Sequence, residues 1–220
     1  MDVRRKAGWL EMMRLVVITS PGGHRSHEQV SAAALEAGCR AIQLRDKTMT
    51  DRELAGVARR IRDECDMAGS LFFVDDRVDV ALAVRADGVH LGVDDLAVAD
   101  ARRLLGPGAL IGYSPEGKSD AAGAVCDGAD YLGIGPVFST STKPDAGDPI
   151  GGRGVAEYAL GIQAPVIAVG GITAANARAA LDRGAAGVAV AAAVSGAEDM
   201  GAAVREMLEA LSRPRGPTRR

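Results

Sequence analysis

Arg45 and Lys47 stand two residues apart, with Gln43 two residues earlier, in the run Gln43-Leu44-Arg45-Asp46-Lys47. In an extended chain a spacing of two puts all three side chains on one side. An amide and two cations on one side make an anion clamp, because arginine grips phosphate oxygens bidentately and lysine adds a point charge. Two carboxylate-rich segments follow, Val74-Asp75-Asp76-Arg77 and His90-Leu91-Gly92-Val93-Asp94-Asp95. Carboxylates brought side by side can share Mg²⁺, a hard cation that takes oxygen ligands and keeps substrate phosphates in its shell. A cationic clamp beside such a pair is the chemistry of a diphosphate site. His90 has no metal-ligand partner near it in sequence and reads as a structural residue at a strand end.

A second set of segments suits a single phosphate. The run Gly133-Ile134-Gly135-Pro136-Val137-Phe138-Ser139-Thr140-Ser141-Thr142-Lys143-Pro144 is a long loop, and Gly151-Gly152-Arg153-Gly154 adds flexibility after it. A loop of this length reads as a lid, with Thr140, Thr142 and Lys143 offering hydroxyls and a cation. Further on, Gly170-Gly171-Ile172-Thr173 precedes a helical pattern with Thr173 as the expected N-cap. Gly170 and Gly171 at a helix start would expose backbone N–H groups where the helix dipole favours an anion. The later run Ala191-Ala192-Ala193-Val194-Ser195 completes that phosphate cup.

The elements that must hold these residues repeat along the chain. Eight short apolar runs read as strands: Leu15–Thr19, Ala41–Leu44, Leu71–Val74, Gly88–Leu91, Leu110–Gly112, Tyr131–Ile134, Val166–Val169 and Gly187–Val190. They recur about every 25 residues, the length of one βα unit with short loops. Between them lie stretches with apolar spacings of three and four, clearest over Asp51–Asp66 and also over Ala174–Arg183 and Asp199–Leu211. Several end in a glycine that opens the next strand, as at Gly38, Gly128 and Gly184. The loop after the first strand, Ser20-Pro21-Gly22-Gly23-His24, does not fit a dinucleotide fingerprint. Eight such units predict an α/β fold, a single (β/α)8 TIM barrel over residues 13–211. Residues 1–12 read as a frayed extension and 212–220 as a disordered basic tail. In that fold every segment singled out above falls at the C-terminal end of a strand, where barrel active sites lie.

Composition narrows the function classes. The net charge of −3 gives no pull toward nucleic acid or anionic membrane, and aromatics at 3% cannot form a stacking platform for single strands. No apolar run is long enough for a membrane span, and the N-terminus lacks a signal-peptide pattern. Three cysteines, Cys39, Cys65 and Cys126, are odd in number and lack metal-ligand spacing. They read as reduced thiols of a cytoplasmic protein. A homo-oligomer is left open.

Taken in order, Gln43-Leu44-Arg45-Asp46-Lys47, Asp75-Asp76-Arg77-Val78-Asp79, Gly88-Val89-His90-Leu91-Gly92, Gly133-x-Gly135-Pro136-Val137-Phe138, Thr140-x-Thr142-Lys143 and Gly170-Gly171-Ile172-Thr173 resemble the thiamine-phosphate synthase superfamily. The resemblance covers roughly residues 15–211. It implies a barrel that uses Mg²⁺ to join hydroxymethylpyrimidine diphosphate to hydroxyethylthiazole phosphate, with diphosphate leaving first and the thiazole nitrogen capturing a pyrimidine carbocation. By that resemblance Asp76 and Asp95 are metal ligands, and Arg45, Lys47 and Lys143 stabilise the leaving diphosphate. Gln43, Asp75 and Ser114 lie around the pyrimidine and diphosphate. Thr140, Thr142, Gly170, Gly171, Ala192 and Ala193 lie around the thiazole phosphate. Four positions depart from the family pattern. Asp75 stands where asparagine is usual, and a carboxylate there repels diphosphate unless it is neutralised or turned toward metal. Val93 stands where glutamine is usual and Ala192 where serine is, and no histidine follows Ser114 closely. The thiazole tautomerases share the barrel, but they carry a histidine where this chain has Pro136. A tautomerase-like isomerase and a catalytically weak phosphate-binding homologue are the alternative readings.

Overall fold

The computed structural model describes residues 8–19, 25–140 and 147–212. After a short helix α1 (Trp9–Met12), strands and helices alternate: β1 (Leu15–Thr19), α2 (His27–Glu36), β2 (Ala41–Leu44), α3 (Asp51–Ala68), β3 (Leu71–Asp75), α4 (Val78–Ala83), β4 (Gly88–Leu91) and α5 (Val98–Leu105). The second half continues with β5 (Leu110–Tyr113), α6 (Lys118–Cys126), β6 (Tyr131–Ile134), α7 (Gly151–Gly161), β7 (Val166–Val169), α8 (Ala177–Asp182), β8 (Gly187–Val190), α9 (Ala192–Ser195) and α10 (Met200–Ser212). Neighbouring strands pair in parallel in sequence order, and β8 closes on β1 through Leu15↔Val188 and Val16↔Ala189. All eight expected strands are present, with β3 and β5 each one residue longer than their apolar runs suggested. Polar Asp75 and Tyr113 extend them because both still find partners at the strand ends.

Each strand has an outer face under the helices and an inner face toward the barrel axis, so nearly every strand residue is buried. The outer core packs Leu44, Phe72, Val74, Leu91 and Ile111 against Leu54, Val57, Ala58, Ile61 and Cys65 of α3 and their counterparts on other helices. Capping boxes start two of those helices, Ser26 with Gln29 on α2 and Thr50 with Glu53 on α3. Each cap contributes about 1 kcal/mol. The inner core stacks Met13, Val16, Leu71, Phe73, Leu110, Tyr131 and Ile167. Part of the segment expected to fray packs here instead. Trp9 and Met12, both half-buried, lie against this inner cluster at the N-terminal end of the barrel, and the Trp9 ring centroid is 6.2 Å from that of Tyr131.

Space for the larger inner side chains comes from glycines on neighbouring strands. A Cβ on Gly112 would lie 2.2 Å from Cζ of Tyr131 and 2.5 Å from Nδ1 of His90. A Cβ on Gly133 would lie 2.7 Å from Cε1 of His90. The aromatic ring and the imidazole fill what the two missing side chains leave open.

The cysteines divide by burial. Burial pushes the Cys39 thiol up to about 11 and the Cys65 thiol up to about 12, whereas Cys126 is exposed at the end of α6. Since the thiolate is the reactive form, a disulfide-exchange reagent at pH 8 is expected to titrate one thiol quickly in the native protein and three after unfolding. Two or three fast thiols in the native state would contradict this packing.

Candidate active site

The clamp lies where strand alternation puts it. Although β2 ends at Leu44, Gln43 and Arg45 continue to face the barrel interior and both reach Asp75 at the end of β3. Gln43 Nε2 donates to Asp75 Oδ1 at 2.6 Å, and Arg45 Nε lies 3.1 Å from Asp75 Oδ2. Lys47 Nζ lies 2.9 Å from Asp76 Oδ2. These contacts answer the question posed by Asp75. The carboxylate is buried against an amide and a guanidinium. Burial, then the charge of Asp76, raises it to about 7 against the opposing pull of Arg45, Gln43 and Lys47.

Asp76 adopts left-handed backbone, with φ of 61°. Holding a non-glycine residue there costs about 1–3 kcal/mol, and surrounding contacts must offset it. Its N–H donates to His90 O of β4, and its carboxylate meets both Lys47 and Asp95 by hydrogen bonds. Burial works to raise the Asp76 carboxyl, but the hydrogen bonds from Lys47 and Asp95 prevail and hold it below the usual range. Asp95 is pushed the other way, first by burial and then by Asp76, against the Gly92 N–H that donates to its Oδ2 at 2.6 Å. The two carboxyl groups therefore lie side by side with their affinities for a proton pushed apart, and a lysine flanks them. Among the described residues no group of three or more His, Cys, Asp or Glu side chains is placed to hold a metal. Arg77, the next residue of the motif, is drawn outward to Asp51 and Asp79.

Below the clamp a polar chain crosses the interior. His90 Nε2 lies 2.8 Å from Ser114 Oγ, and His90 Nδ1 lies 3.2 Å from the Tyr131 hydroxyl. The histidine that meets Ser114 thus comes from β4 rather than from the segment after the serine. Burial lowers the His90 imidazole to about 4 and raises the Tyr131 phenol, so both stay neutral near pH 7. Tyr131 did not stand out in the sequence. Only its strand period, one residue short of Leu132 on the outer face, signals that it points inward.

On the opposite side the loops after β6 and β7 are bonded together. Val137 N donates to Val169 O at 2.9 Å and Phe138 N to Gly170 O at 3.0 Å. The far end of the β6 loop returns to its own base, Ile150 N to Pro136 O. Gly170 and Gly171 have φ of 92° and 64°, and a Cβ on Gly171 would lie 2.6 Å from Ser139 O. Thr140 lies just beyond, whereas Thr142 and Lys143 fall outside the described residues. Three expectations need correction. Thr173 does not cap a helix: residues 174–176 form a turn, α8 begins at Ala177, and the loop is braced by Asn176 instead. Asn176 Nδ2 donates to Gly171 O and its Oδ1 accepts Thr173 N–H, which ties the turn to the glycine loop. The glycine pair therefore does not open the helix directly, since α8 starts only at Ala177 after an intervening turn. Gly151-Gly152-Arg153-Gly154 is not a flexible linker but the first turn of α7, held by Gly154 N to Ile150 O. Ala192 and Ala193 open α9, and at a helix start their N–H groups have no intrahelical acceptor. Of the remaining departures, Val93 is exposed at the rim and Ala192 is exposed beside the cup.

The described residues thus form a barrel mouth with a cationic, carboxylate-flanked side and a backbone-lined side. The profile of the thiamine monophosphate synthase family matches residues 15–194. A thiamine-phosphate synthase of Moorella thermoacetica is 44% identical over 202 residues, covering 92% of this chain and 96% of that protein. One from Chloroflexus aurantiacus is 47% identical over 201 residues, covering 90% and 93%. The solved structure of thiamine phosphate pyrophosphorylase from Pyrococcus furiosus superposes with a TM-score of 0.84 at 39% identity, covering 92% of this chain and 96% of that one. The chain belongs to the thiamine monophosphate synthase family.

Proposed function

We propose that the chain joins hydroxymethylpyrimidine diphosphate to hydroxyethylthiazole phosphate, releasing diphosphate and thiamine phosphate. The observation that carries this reading is the convergence of Gln43, Arg45 and Lys47 on the Asp75–Asp76 strand end, within a barrel whose opposite loops offer backbone N–H groups. In the reaction the bond between the pyrimidine methylene and the diphosphate oxygen breaks, and its electron pair leaves with diphosphate. The thiazole nitrogen then donates its lone pair to the methylene carbon, and the new C–N bond forms. No proton has to move, so the site needs charge stabilisation rather than a strong base. Arg45 and Lys47 supply it at the leaving oxygens. Neutral His90 and Tyr131 add no positive charge beneath a carbocation.

Magnesium fits the donor set of Asp76 and Asp95. Two adjacent carboxyl groups offer oxygen atoms of the kind a hard cation takes, and such a cation keeps substrate phosphates and water in its shell. The cation would supply further neutralisation of the leaving group. Activity is expected to vanish on chelation and to return with added Mg²⁺, and activity that persists after exhaustive chelation would refute the assignment. The thiazole phosphate is read against Gly170, Gly171, Thr140 and the start of α9. Gly171→Ala forces a side chain into left-handed backbone against Ser139 O. It is expected to raise KM for the thiazole phosphate by about tenfold, the equivalent of about 1.4 kcal/mol. A KM unchanged in a folded variant would remove the cup from that role.

The test of the whole reading mixes protein, Mg²⁺ and both substrates and follows thiamine phosphate and diphosphate, which should appear in equal amounts. Failure of either product to form while both substrates bind would sink it. Phosphorylated small-molecule substrates and free cysteines fit work in the cytoplasm. Among the described residues no helix is long and apolar enough to cross a membrane.

A further inference from the structure

We propose that His27 is a positioning residue for the diphosphate clamp, holding Asp46 against the end of β1 so that Arg45 and Lys47 keep their spacing. The inference rests on the clamp reading above. Asp46 lies between the two cations and, by alternation, points away from them. Its Oδ1 accepts the N–H groups of Thr48 and Met49 at 2.7 and 2.9 Å and the Thr48 hydroxyl at 2.8 Å. Its Oδ2 lies 3.0 Å from His27 Nε2. The other imidazole nitrogen lies 2.8 Å from the hydroxyl of Thr19, the last residue of β1. Thr19 also accepts the Arg45 N–H through its carbonyl at 2.9 Å. A closed ring of bonds therefore runs from Thr19 through His27 and Asp46 and back along the backbone of Arg45. Thr19 and His27 are buried, and the Asp46 side chain is 3% exposed.

This ring does two things for an anion at the mouth. It fixes the backbone on either side of Arg45, which sets where the guanidinium and the Lys47 ammonium can reach. It also keeps a third carboxylate turned away from the clamp with both of its oxygens occupied. A role confined to folding would require His27 to hold α2 in place. Yet α2 has its own start signal, since Ser26 accepts the Gln29 N–H and the Gln29 side chain accepts the Ser26 N–H.

The test compares His27→Phe, His27→Gln and Lys47→Ala with the parent. It uses calorimetric titration of inorganic diphosphate in the presence of Mg²⁺, KM for each substrate, and thermal melts. His27→Phe is expected to weaken diphosphate binding and raise KM for the pyrimidine diphosphate by about tenfold or more, as loss of a supporting contact typically does. KM for the thiazole phosphate should stay at the parent value. His27→Gln, whose amide can donate to Asp46 and accept from Thr19, should recover most of the loss. A folded His27→Phe that binds diphosphate like the parent, while Lys47→Ala does not, overturns the role of His27 and leaves the clamp standing. Parent-like binding in both variants overturns the clamp and this proposal with it. Equal rises in both KM values also overturn it. If His27→Phe does not melt cooperatively, the isosteric Thr19→Val tests the ring from its other end. Weakened diphosphate binding then supports the proposal, and parent-like binding ends it.

Discussion

Lys47→Ala is expected to lower kcat/KM for the pyrimidine diphosphate by about a hundredfold or more, the scale of losing one preorganised donor to a developing anion. Its melting temperature should change little, since the Lys47 side chain is 57% exposed and its ion pair with Asp76 contributes little to folding. Arg45→Ala should cost activity on the same scale and stability as well, because it leaves the buried Asp75 carboxyl without its guanidinium. The two effects separate in the double variant Asp75→Asn/Arg45→Ala. There the amide takes the place of the unpartnered carboxyl, so folding should recover while turnover stays low. Steady-state kinetics alongside denaturant melts measure both quantities. Turnover that recovers together with stability would mean that Arg45 serves the fold and not the diphosphate.

The largest stability effect is expected away from the site. Asp87 precedes β4, is 3% exposed, and accepts Arg62 Nη1 at 2.5 Å and the Phe72 N–H at 2.9 Å. Arg62 is itself buried in α3, with its guanidinium 5.8 Å from the Phe72 ring centroid. Asp87→Ala strands that cation and a strand N–H at once, and breaking such a buried pair costs about 3–5 kcal/mol. Asp66, 2.9 Å from Arg62 but half exposed, offsets only part of this, which places the expected loss near the lower end. Urea unfolding measures it. Adding Arg62→Met should restore part of the lost stability, because an apolar side chain needs no partner there. A single variant within about 1 kcal/mol of the parent would show that the pair is dispensable.

The barrel was legible because its strands are buried on both faces and so read as unbroken apolar runs such as Leu15–Thr19 and Val166–Val169. The clamp was legible for a related reason: the period of two of β2 carries past its end at Leu44 to Arg45, and Lys47, three residues beyond, still reaches the neighbouring strand end. What was not legible depended on partners distant in sequence. Thr173 carries the residue type of an N-cap, but the helix starts at Ala177, and the Asn176 side chain instead braces the loop by accepting the Thr173 N–H and donating to Gly171 O. Gly112 and Gly133 look like weak points in strands until His90 and Tyr131 are seen filling their places. Asp75 looked like a misplaced charge because its neutralising partners come from the neighbouring strand. Thr142 and Lys143, expected at the site by resemblance, fall outside the described residues, so their place rests on sequence.

The packed interior beneath the site bears on traffic. With Trp9, Met13 and Tyr131 packed at the N-terminal end, the C-terminal rim is the way into the barrel among the described residues. Both substrates and both products must pass the same rim. Whichever molecule sits uppermost sets the order in which the others can come and go. A bulkier side chain at Val93, on that rim, would slow arrival and departure alike without touching the bonds that are made and broken below.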